Sequence, residues 1–590
     1  MTLAIERVFP FLPDLRRTTA VTLRRDVRAG LTVAVFAIPQ TMAYAVLAGV
    51  SPAYGLYAAI VMSVVAALWG SSAFVNTGPT NSAALLTAAA MIPYASHPDV
   101  LRILFAFTLL VGLIRVGLGL IRAGKTIDYV PESAFLGFTI GVGTLIALGQ
   151  FHHLLQIDRP DIPWFPHRFV ETLRNAGGVN VAALLIGLGS AAIMFILGRF
   201  TRRVPIALLA IAAAAAAAAL LDPEGQSLRL VRDLAPVPNR LPGVVLPAFD
   251  LRLYGDLLPA ATAVAVIGLI EAVSIGRQLA LKHGHPLDYD QEFIGQGLSH
   301  VVGSFFQGIP GSGSFSRSLL IEQDGGQTRF ANVVFGGMVA VCMLLFGQWL
   351  NRIPICALAG LLLYLGITLI DLPRVRRVWA TSRADAFVLA LTVFVTVFVR
   401  IEYGIFTGIV AAAFLVLRRT RHLHIDEITP CGDGTFAENV LSRPVTGPTS
   451  DVVAITVGGD LYYAMAGAFR DTLEALIRER KPRFLIVRIR TAYSMDSSLW
   501  SIFFDVAEVF HANGGKLYLC GVRPDYDSII DQARMRDILP TAHIFPKQVE
   551  IHRALRGCLA AVKVQLGDHP VLPPAWENYF GAGTSPAPRH

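Results

Sequence analysis

Apolar runs long enough to cross a bilayer, which takes about 20 residues of straight helix, recur along this chain from residue 28 to residue 420. They fall near 28–48, 53–70, 100–121, 133–151, 180–199, 204–221, 256–281, 292–307, 328–350, 355–371, 384–400 and 402–420. Two further segments are too short or too interrupted to cross alone: 79–94, at "FVNTGPTNS", and 314–324, at "GIPGSGSFS". Counted as half-spans they bring the total to fourteen. With 54% hydrophobic and only 16% charged residues among 590, and a mean hydropathy of +0.55, the chain is too apolar to be soluble and too long for one domain. The expected fold is therefore a polytopic α-helical membrane protein.

A formal net charge of +8 raises the question of nucleic acid. The basic residues instead gather at the ends of apolar runs, where they meet the cytoplasmic leaflet, so no nucleic-acid partner is expected. With the amino terminus inside, the inside connections hold Arg24, Arg25 and Arg28; Arg122 and Lys125; Arg199, Arg202 and Arg203; Arg277 and Lys282; Arg329; Arg374, Arg376, Arg377 and Arg383; and Arg418, Arg419 and Arg421. Outside, the stretches 152–175 and 222–255 mix arginines with Asp158, Asp161, Glu171, Asp222, Glu224 and Asp233. That asymmetry predicts an even span number and both termini in the cytoplasm, in the cell (inner) membrane. The five cysteines show no paired spacing, so neither a disulfide framework nor a zinc site is indicated. No cleavable leader is apparent: the first apolar run follows "LRRDVRAG" and carries Gln40 and Thr41.

The half-spans hold the chemistry. "NTGPTNSAALL" and "PGSGSFSRSLL" each start with a Gly/Pro break and small hydroxyl residues and continue as helix. They take the third and tenth of fourteen places, the third of each seven, which points to a 7+7 inverted repeat with its site at the midplane. Two helix amino termini would there aim unsatisfied N–H groups at one point, a design for an anion. Arg317 adds a full positive charge.

Glu271, in "VIGLIEAVSIGR", sits among apolar neighbours, where a carboxylate must be paired, metal-bound or protonated. It reads as a proton or sodium coupling group, or as a structural partner of Arg317. Gln40 and Tyr44 lie four apart and share a helix face, which lets them present an amide and an aromatic wall to a ligand or satisfy a neighbouring span. Ser314 and Ser316 stand at a half-helix start, where serine binds a ligand or caps the helix. His152, His153 and His167 fit no metal motif and read as a solvated loop. "HLHID" at 422–426 reads as a cytoplasmic exit, and the alanine run 212–219 as close helix packing.

Past Arg421 the composition changes. Pro, Gly and Thr punctuate 429–451 as a linker, after which "VVAITV", "FLIVRI" and "KLYLCGV" alternate with helical stretches at 464–480, 498–512 and 525–534. A small cytoplasmic α/β domain is expected there. It has no phosphate-cradling loop and no nucleophile elbow, so it reads as a binding or assembly module, and no enzyme activity and no cofactor are expected.

These residues together resemble the sulfate permease (SulP) family of anion transporters, which includes the animal solute-carrier anion exchangers and prestin. "PQTMAYAVLAGVSPAYGLYAA" at 39–59 resembles its first-span signature and "GSFFQGIPGSGSFSRS" at 303–318 its tenth-span signature, while "MDSS" at 495–498 resembles the Asp-Ser motif of a STAS domain. The resemblance divides the chain into a cytoplasmic segment 1–27, a transport domain 28–420, a linker 421–451, a STAS domain 452–562 and a disordered tail 563–590. It implies a core domain moving elevator-fashion against a gate domain, with the anion between helices three and ten. It places Gln40, Tyr44, Thr80, Ser314, Ser316 and Arg317 at the anion and Glu271 at the coupling ion, and it implies a homodimer to which the STAS domains contribute. Thr41 stands where glycine is usual, and Asn81 is an unusual polar residue inside the third helix. Leu499 replaces the glycine after Asp-Ser-Ser, which speaks against phosphorylation at Ser497 or Ser498.

The expected function is secondary active transport of an inorganic anion such as sulfate or bicarbonate, or of a dicarboxylate, with protons bound through Glu271. Sodium coupling and exchange are the alternatives within anion transport. A nucleobase permease is disfavoured by Arg317 and the STAS tail, and a membrane-bound STAS signalling scaffold with a cytoplasmic partner is the reading from another class.

Overall fold

The computed structural model describes residues 10–581 apart from 159, 161, 163, 201–204, 223–226, 285, 421–423, 432–434, 442–444, 446, 490–491, 533–535 and 549–551. Asp161, Arg202, Arg203, Glu224, Arg421, the start of "HLHID" and residues 582–590 lie outside the described residues.

Among the described helices of the first compact unit, Met1–Ala413, fourteen correspond to the expected spans and half-spans, the last of them running on into the second unit. They are α1 (Ala20–Leu47), α2 (Pro52–Trp69), α3 (Asn81–Met91), α4 (Val100–Leu120), α5 (Glu132–Gly149), α6 (Val181–Phe200), α7 (Ile206–Leu221), α8 (Leu251–His283), α9 (Tyr289–Phe305), α10 (Phe315–Gln323), α11 (Phe330–Leu350), α12 (Ile355–Thr368), α13 (Arg383–Phe394) and α14 (Ile401–Thr420). Each expected span and half-span has its helix. Nine of the described helices are long and apolar enough to cross a membrane, and the chain is a multi-pass membrane protein. At 1.5 Å per residue, α3 and α10 reach only about halfway through a hydrocarbon core of about 30 Å.

Local chemistry sets the ends. Ser51 precedes Pro52 at the start of α2, Asp250 accepts Arg252 N–H at the start of α8 (2.9 Å), and α8 stops at Gly284, whose φ of 67° is the left-handed cap. Packing then separates two kinds of helix. α1 is buried along most of its length, whereas Leu185, Leu188 and Ile196 of α6 and Leu345, Phe346 and Trp349 of α11 are exposed, which suits a face bathed in lipid. α4 and α9 cross at Gly112 and Gly297: a methyl group on Gly112 would lie 2.8 Å from the Gly297 carbonyl oxygen.

The span expected at 384–400 is not one helix. α13 ends at Phe394 and residues Val395–Val399 make a π turn before Arg400.

The second unit begins at Phe414. Its strands β3 (His424–Pro430), β4 (Phe436–Val440), β5 (Val452–Leu461), β6 (Phe484–Arg488), β7 (Ala492–Met495), β8 (Lys516–Val522) and β9 (Ile544–Pro546) follow the short β1 (Thr77–Gly78) and β2 (Ser312–Gly313) of the first unit. The sheet order is β4-β3-β5-β6-β8-β9, with β7 beside β5; β5, β6, β8 and β9 are parallel. Helices α15 (Ala466–Arg480), α16 (Ser497–Ala512) and α17 (Pro524–Gln532) carry residues of one apolar cluster, and α18 (Arg553–Gln565) and α19 (Pro574–Gly581) those of another. A parallel strand covered on both faces reads as continuous apolar sequence, and β6 is buried at every position.

Two expectations need correction. Residues 424–440, expected to be exit and linker, contain the hairpin β3–β4, which extends the sheet because Ile425 and Ile428 are buried. The tail from 563 is ordered at least to 581: α19 buries Trp576, whose ring stacks on Phe580 at 5.8 Å, giving the segment an apolar reason to fold.

Candidate functional site

The two half-helices start at a common point. β1 and β2 pair antiparallel, Thr77 with Gly313 and Gly78 with Ser312, so the chain entering α3 lies against the chain entering α10. Ser314 N–H donates to Asn76 O at 2.8 Å and extends the pairing. Only glycine fits here: a methyl group on Gly311 would sit 2.0 Å from the Gly78 carbonyl oxygen, and one on Gly313 would sit 2.9 Å from Ala272 Cα.

Neither N-cap side chain accepts a backbone amide of the helix it precedes. Thr80 Oγ1 lies 3.0 Å from Ser312 Oγ, and Ser314 Oγ lies 3.4 Å from Ser316 Oγ. Asn81 acts locally, accepting Ser82 N–H at 2.8 Å. The first-turn amides of α10 and the positive end of its dipole are thereby left available for an anion.

Arg317 is 1% exposed. Its Nε donates to Asn76 Oδ1 at 2.6 Å and its Nη1 to Pro79 O at 3.0 Å, both on the chain that leads into α3. Asn76 is fixed in turn by Ser318 Oγ, which accepts its N–H at 2.9 Å, and by Asn332 Oδ1, which accepts its Nδ2 at 2.8 Å. Arg317 Nη2 is buried and has no hydrogen-bond partner among the described residues, an orphaned donor. Gln40 reaches from α1: its Nε2 donates to Tyr44 OH at 3.0 Å and lies 3.4 Å from Ser316 Oγ.

Glu271 of α8 completes the cluster. Ser82 Oγ donates to its Oε1 at 2.5 Å, and Ser312 Oγ donates to its Oε2. The carboxylate is thus held by one hydroxyl from each half-helix region and not by Arg317, which removes the direct ion-pair reading. The side-chain bonds form two networks, Tyr44–Gln40–Ser316–Ser314 and Thr80–Ser312–Glu271–Ser82, with Arg317 tied separately to Asn76 and Pro79; the β1–β2 pairing brings all of them to the starts of α3 and α10 from sequence positions more than 270 apart.

A sequence model described as the sulfate permease family matches residues 23–392, more than half of the chain. The chain belongs to that family. It is a membrane anion transporter rather than an enzyme, and residues 444–551 match the STAS domain. Sulfate transporter 4.1, chloroplastic, of Arabidopsis thaliana is 26% identical over 566 residues, 91% of this chain and 80% of that protein. The sodium-independent sulfate anion transporter of Bos taurus is 24% identical over 567 residues, 91% and 90% of the two chains. The structure of murine Solute Carrier 26 family member A9 in the inward-facing state superposes with a TM-score of 0.85 over 95% of each chain at 20% identity, which shows the shared fold.

Behind the cluster of this sulfate permease family member lies a network that the sequence alone does not single out. Arg115 of α4 is fully buried, its Nε and Nη2 donating to Ala265 O (3.3 Å) and Val264 O (3.0 Å). Its Nη1 lies 3.0 Å from His300 Nε2, the same nitrogen that accepts Gly311 N–H at 2.9 Å. A methyl group on Gly268 would meet Arg115 Nη2 at 1.9 Å, so the guanidinium sits over the helical turn before Glu271. A full positive charge therefore stands near the carboxylate without bonding to it. Gln296 Nε2 donates to Thr77 Oγ1 at 2.7 Å, and Glu292 accepts both Gln296 Nε2 and the Ser71 and Ser72 amides, fixing the approach to β1. At the far end of α10, Glu322 pairs with Lys282 at 2.7 Å.

Ser82, Ser312 and Asn76 also belong to the site without having stood out in the sequence, though all three lie in or beside the two Gly/Pro breaks. Of the loop histidines, His167 is exposed as expected, while His152 and His153 are half-buried with ring centroids 3.9 Å apart, because the short helix Phe151–Leu155 carries them inward.

Proposed function

We propose that this protein carries a small oxyanion, sulfate foremost and bicarbonate or a dicarboxylate as further candidates, together with protons, the anion held between the starts of α3 and α10. The observation that carries this reading is the orphaned Nη2 of buried Arg317 beside helix amino termini whose N-cap side chains point elsewhere. Thr80, Ser314 and Ser316 supply hydroxyls at the same point, and Gln40 with Tyr44 forms the wall from α1. Relatives named as sulfate transporters support the choice of sulfate.

Glu271 is the coupling group in this reading. Both of its oxygens are tied to hydroxyls that also border the anion site, so its charge and the anion's are felt together. Moving one net charge against 100 mV takes about 2.3 kcal/mol, so a divalent anion entering a negative cell gains most from entering with protons. The hydrogen bonds joining α1, α3, α8, α10 and α11 make these helices one piece, which suits an elevator-type movement against the remaining helices. A homodimer in the cell (inner) membrane with both termini cytoplasmic, and a STAS domain with a cytoplasmic partner, complete the proposal.

The test is uptake of labelled sulfate, bicarbonate and fumarate into proteoliposomes under an inward proton gradient, with the unaltered chain and with Glu271→Gln. Gradient-driven uptake of one anion that disappears in the variant supports the reading. Uptake that ignores the proton gradient but responds to a sodium gradient or a counter-anion would sink the proton-coupling part.

A further inference from the structure

Arg115 of α4 and His300 of α9 are fully buried and have no part in the proposed transport. All three nitrogens of the guanidinium are engaged: Nε with Ala265 O at 3.3 Å, Nη2 with Val264 O at 3.0 Å and Nη1 with His300 Nε2 at 3.0 Å. None of those partners is a carboxylate, so the bonds hold the cation in place without cancelling its charge. A cation enclosed in a membrane-spanning helix is costly unless an anion answers it.

The turn that Arg115 grips leads to Glu271. A methyl group on Gly268 would lie 1.9 Å from Arg115 Nη2 and 3.0 Å from Ser312 Cβ, so guanidinium and serine meet over one point of α8. Gly268 and Glu271 are three apart on that helix and share its face, and Ser312 Oγ donates to Glu271 Oε2. The carboxylate is therefore one serine away from the guanidinium. The other charged or titratable groups on the elements packed around α8 are committed elsewhere. On α9, Glu292 accepts the Ser71 and Ser72 amides, Asp290 accepts the Gly124 amide, and His300 is engaged by Gln296 O at Nδ1 and by Gly311 at Nε2. On α10, Glu322 pairs with Lys282, and Arg317 donates to Asn76 and Pro79. Neither α3 nor β2 brings a charge, and Tyr44 of α1 shares its hydroxyl with Gln40.

We infer that Arg115 is the countercharge of Glu271, a positioning residue that touches neither the anion nor the coupling ion and answers the carboxylate from behind. Its consequence for transport rests on the reading of Glu271 as the coupling group. With Glu271 ionised, the pair is neutral. When Glu271 takes up a proton, the charge of Arg115 is left uncancelled behind the site and adds to that of Arg317, which suits a divalent anion. Charges separated by little water are felt across such a distance, so proton and dianion favour each other's binding without touching.

The test is a double-mutant cycle on the purified full chain in nanodiscs, with Arg115→Met, Glu271→Gln and both together, melted at pH 8. Removing one member leaves the other charge buried and unanswered, whereas removing both leaves none. The expected result is a melting temperature for the double variant shifted above that of Arg115→Met. Where Arg115→Met does not assemble, assembly of the double variant supports the proposal and its failure overturns it. In proteoliposomes, Arg115→Met should lose about tenfold or more of the sulfate uptake driven by an inward proton gradient, and Arg115→Lys, which keeps the charge and gives up part of the fork, should restore most of it. A double variant that melts no higher than Arg115→Met, or a gradient response in Arg115→Met equal to that of the unaltered chain, overturns the proposal. If the unaltered chain shows no proton-driven uptake, the coupling reading of Glu271 falls, and the melting cycle, which needs no transport, still decides whether Arg115 and Glu271 answer each other.

Discussion

The two half-helices look alike at the backbone and differ in what they carry. α3 reads "NSAALLTAAAM" without a charge, whereas α10 reads "FSRSLLIEQ" with Arg317 near its start and Glu322 near its end. Yet the positive charge of α10 is held by the other half, Arg317 bonding to Asn76 and Pro79 on the chain leading into α3, whereas Glu322 is held within its own half by Lys282 and His283 of α8. The carboxylate between them shows the reverse loan, since Glu271 bonds to Ser82 of α3 and Ser312 before α10. The first half contributes Asn76, the Pro79 carbonyl and the Thr80 and Ser82 hydroxyls, the second both formal charges with serines of its own, and neither is a site alone.

Substitutions sharpen that division. The largest effect is expected from Arg317→Gln, which removes the buried positive charge that α10 brings to the site: sulfate uptake in proteoliposomes should fall about 100-fold or more, as for truncating a buried, hydrogen-bonded charge. Arg317→Lys should not restore it, because one ammonium cannot span Asn76 and Pro79 as the planar fork does; recovery of full uptake in the lysine variant would show that position, not shape, matters. Asn76→Ala leaves that arginine with one anchor and frees Asn332 Oδ1, while the backbone bond to Ser318 survives, so uptake should fall about tenfold while the protein still folds, read by uptake and melting together. Ser82→Ala removes one of two hydroxyls on Glu271; a loss of about fivefold, with a displaced pH profile of uptake, is expected. Asn81→Ser should change uptake by less than about twofold, since Asn81 bonds locally to Ser82 N–H and a serine hydroxyl can make the same kind of local bond. A large loss there would mean that α3 contributes a side chain to the ligand after all.

Much of this is legible in the sequence because membrane spans announce themselves by length and composition, and because Gly/Pro breaks inside them have few structural uses. Gln40, Tyr44, Thr80, Glu271, Ser314, Ser316 and Arg317 stand out by that logic, and the structure gathers them. Arg115 carries the same signal, a lone cation within "LLVGLIRVGLGL", but two of its partners are the carbonyls of Val264 and Ala265, which no side-chain pattern records, and the third is His300, far away in sequence. Asn332 and His300 give less warning, since a polar residue near a helix end is ordinary until its neighbour in space is known. The hairpin β3–β4 hides in a stretch rich in Pro, Gly and Thr, where Ile425, Ile428 and Phe436 mark the buried faces without an alternating pattern. The order of the tail is hidden for a similar reason: two aromatic residues four apart, Trp576 and Phe580, hold α19 in place, and one such pair makes no long periodic pattern.

The central claim is the position of the anion. Selenate, the heavier analogue of sulfate, can be located by its anomalous signal in crystals of the full chain. The account predicts one peak between the starts of α3 and α10, with selenium about 4 Å from the Ser316 amide nitrogen, and its loss in Arg317→Gln. A peak elsewhere, or none there in protein that transports selenate, would contradict it.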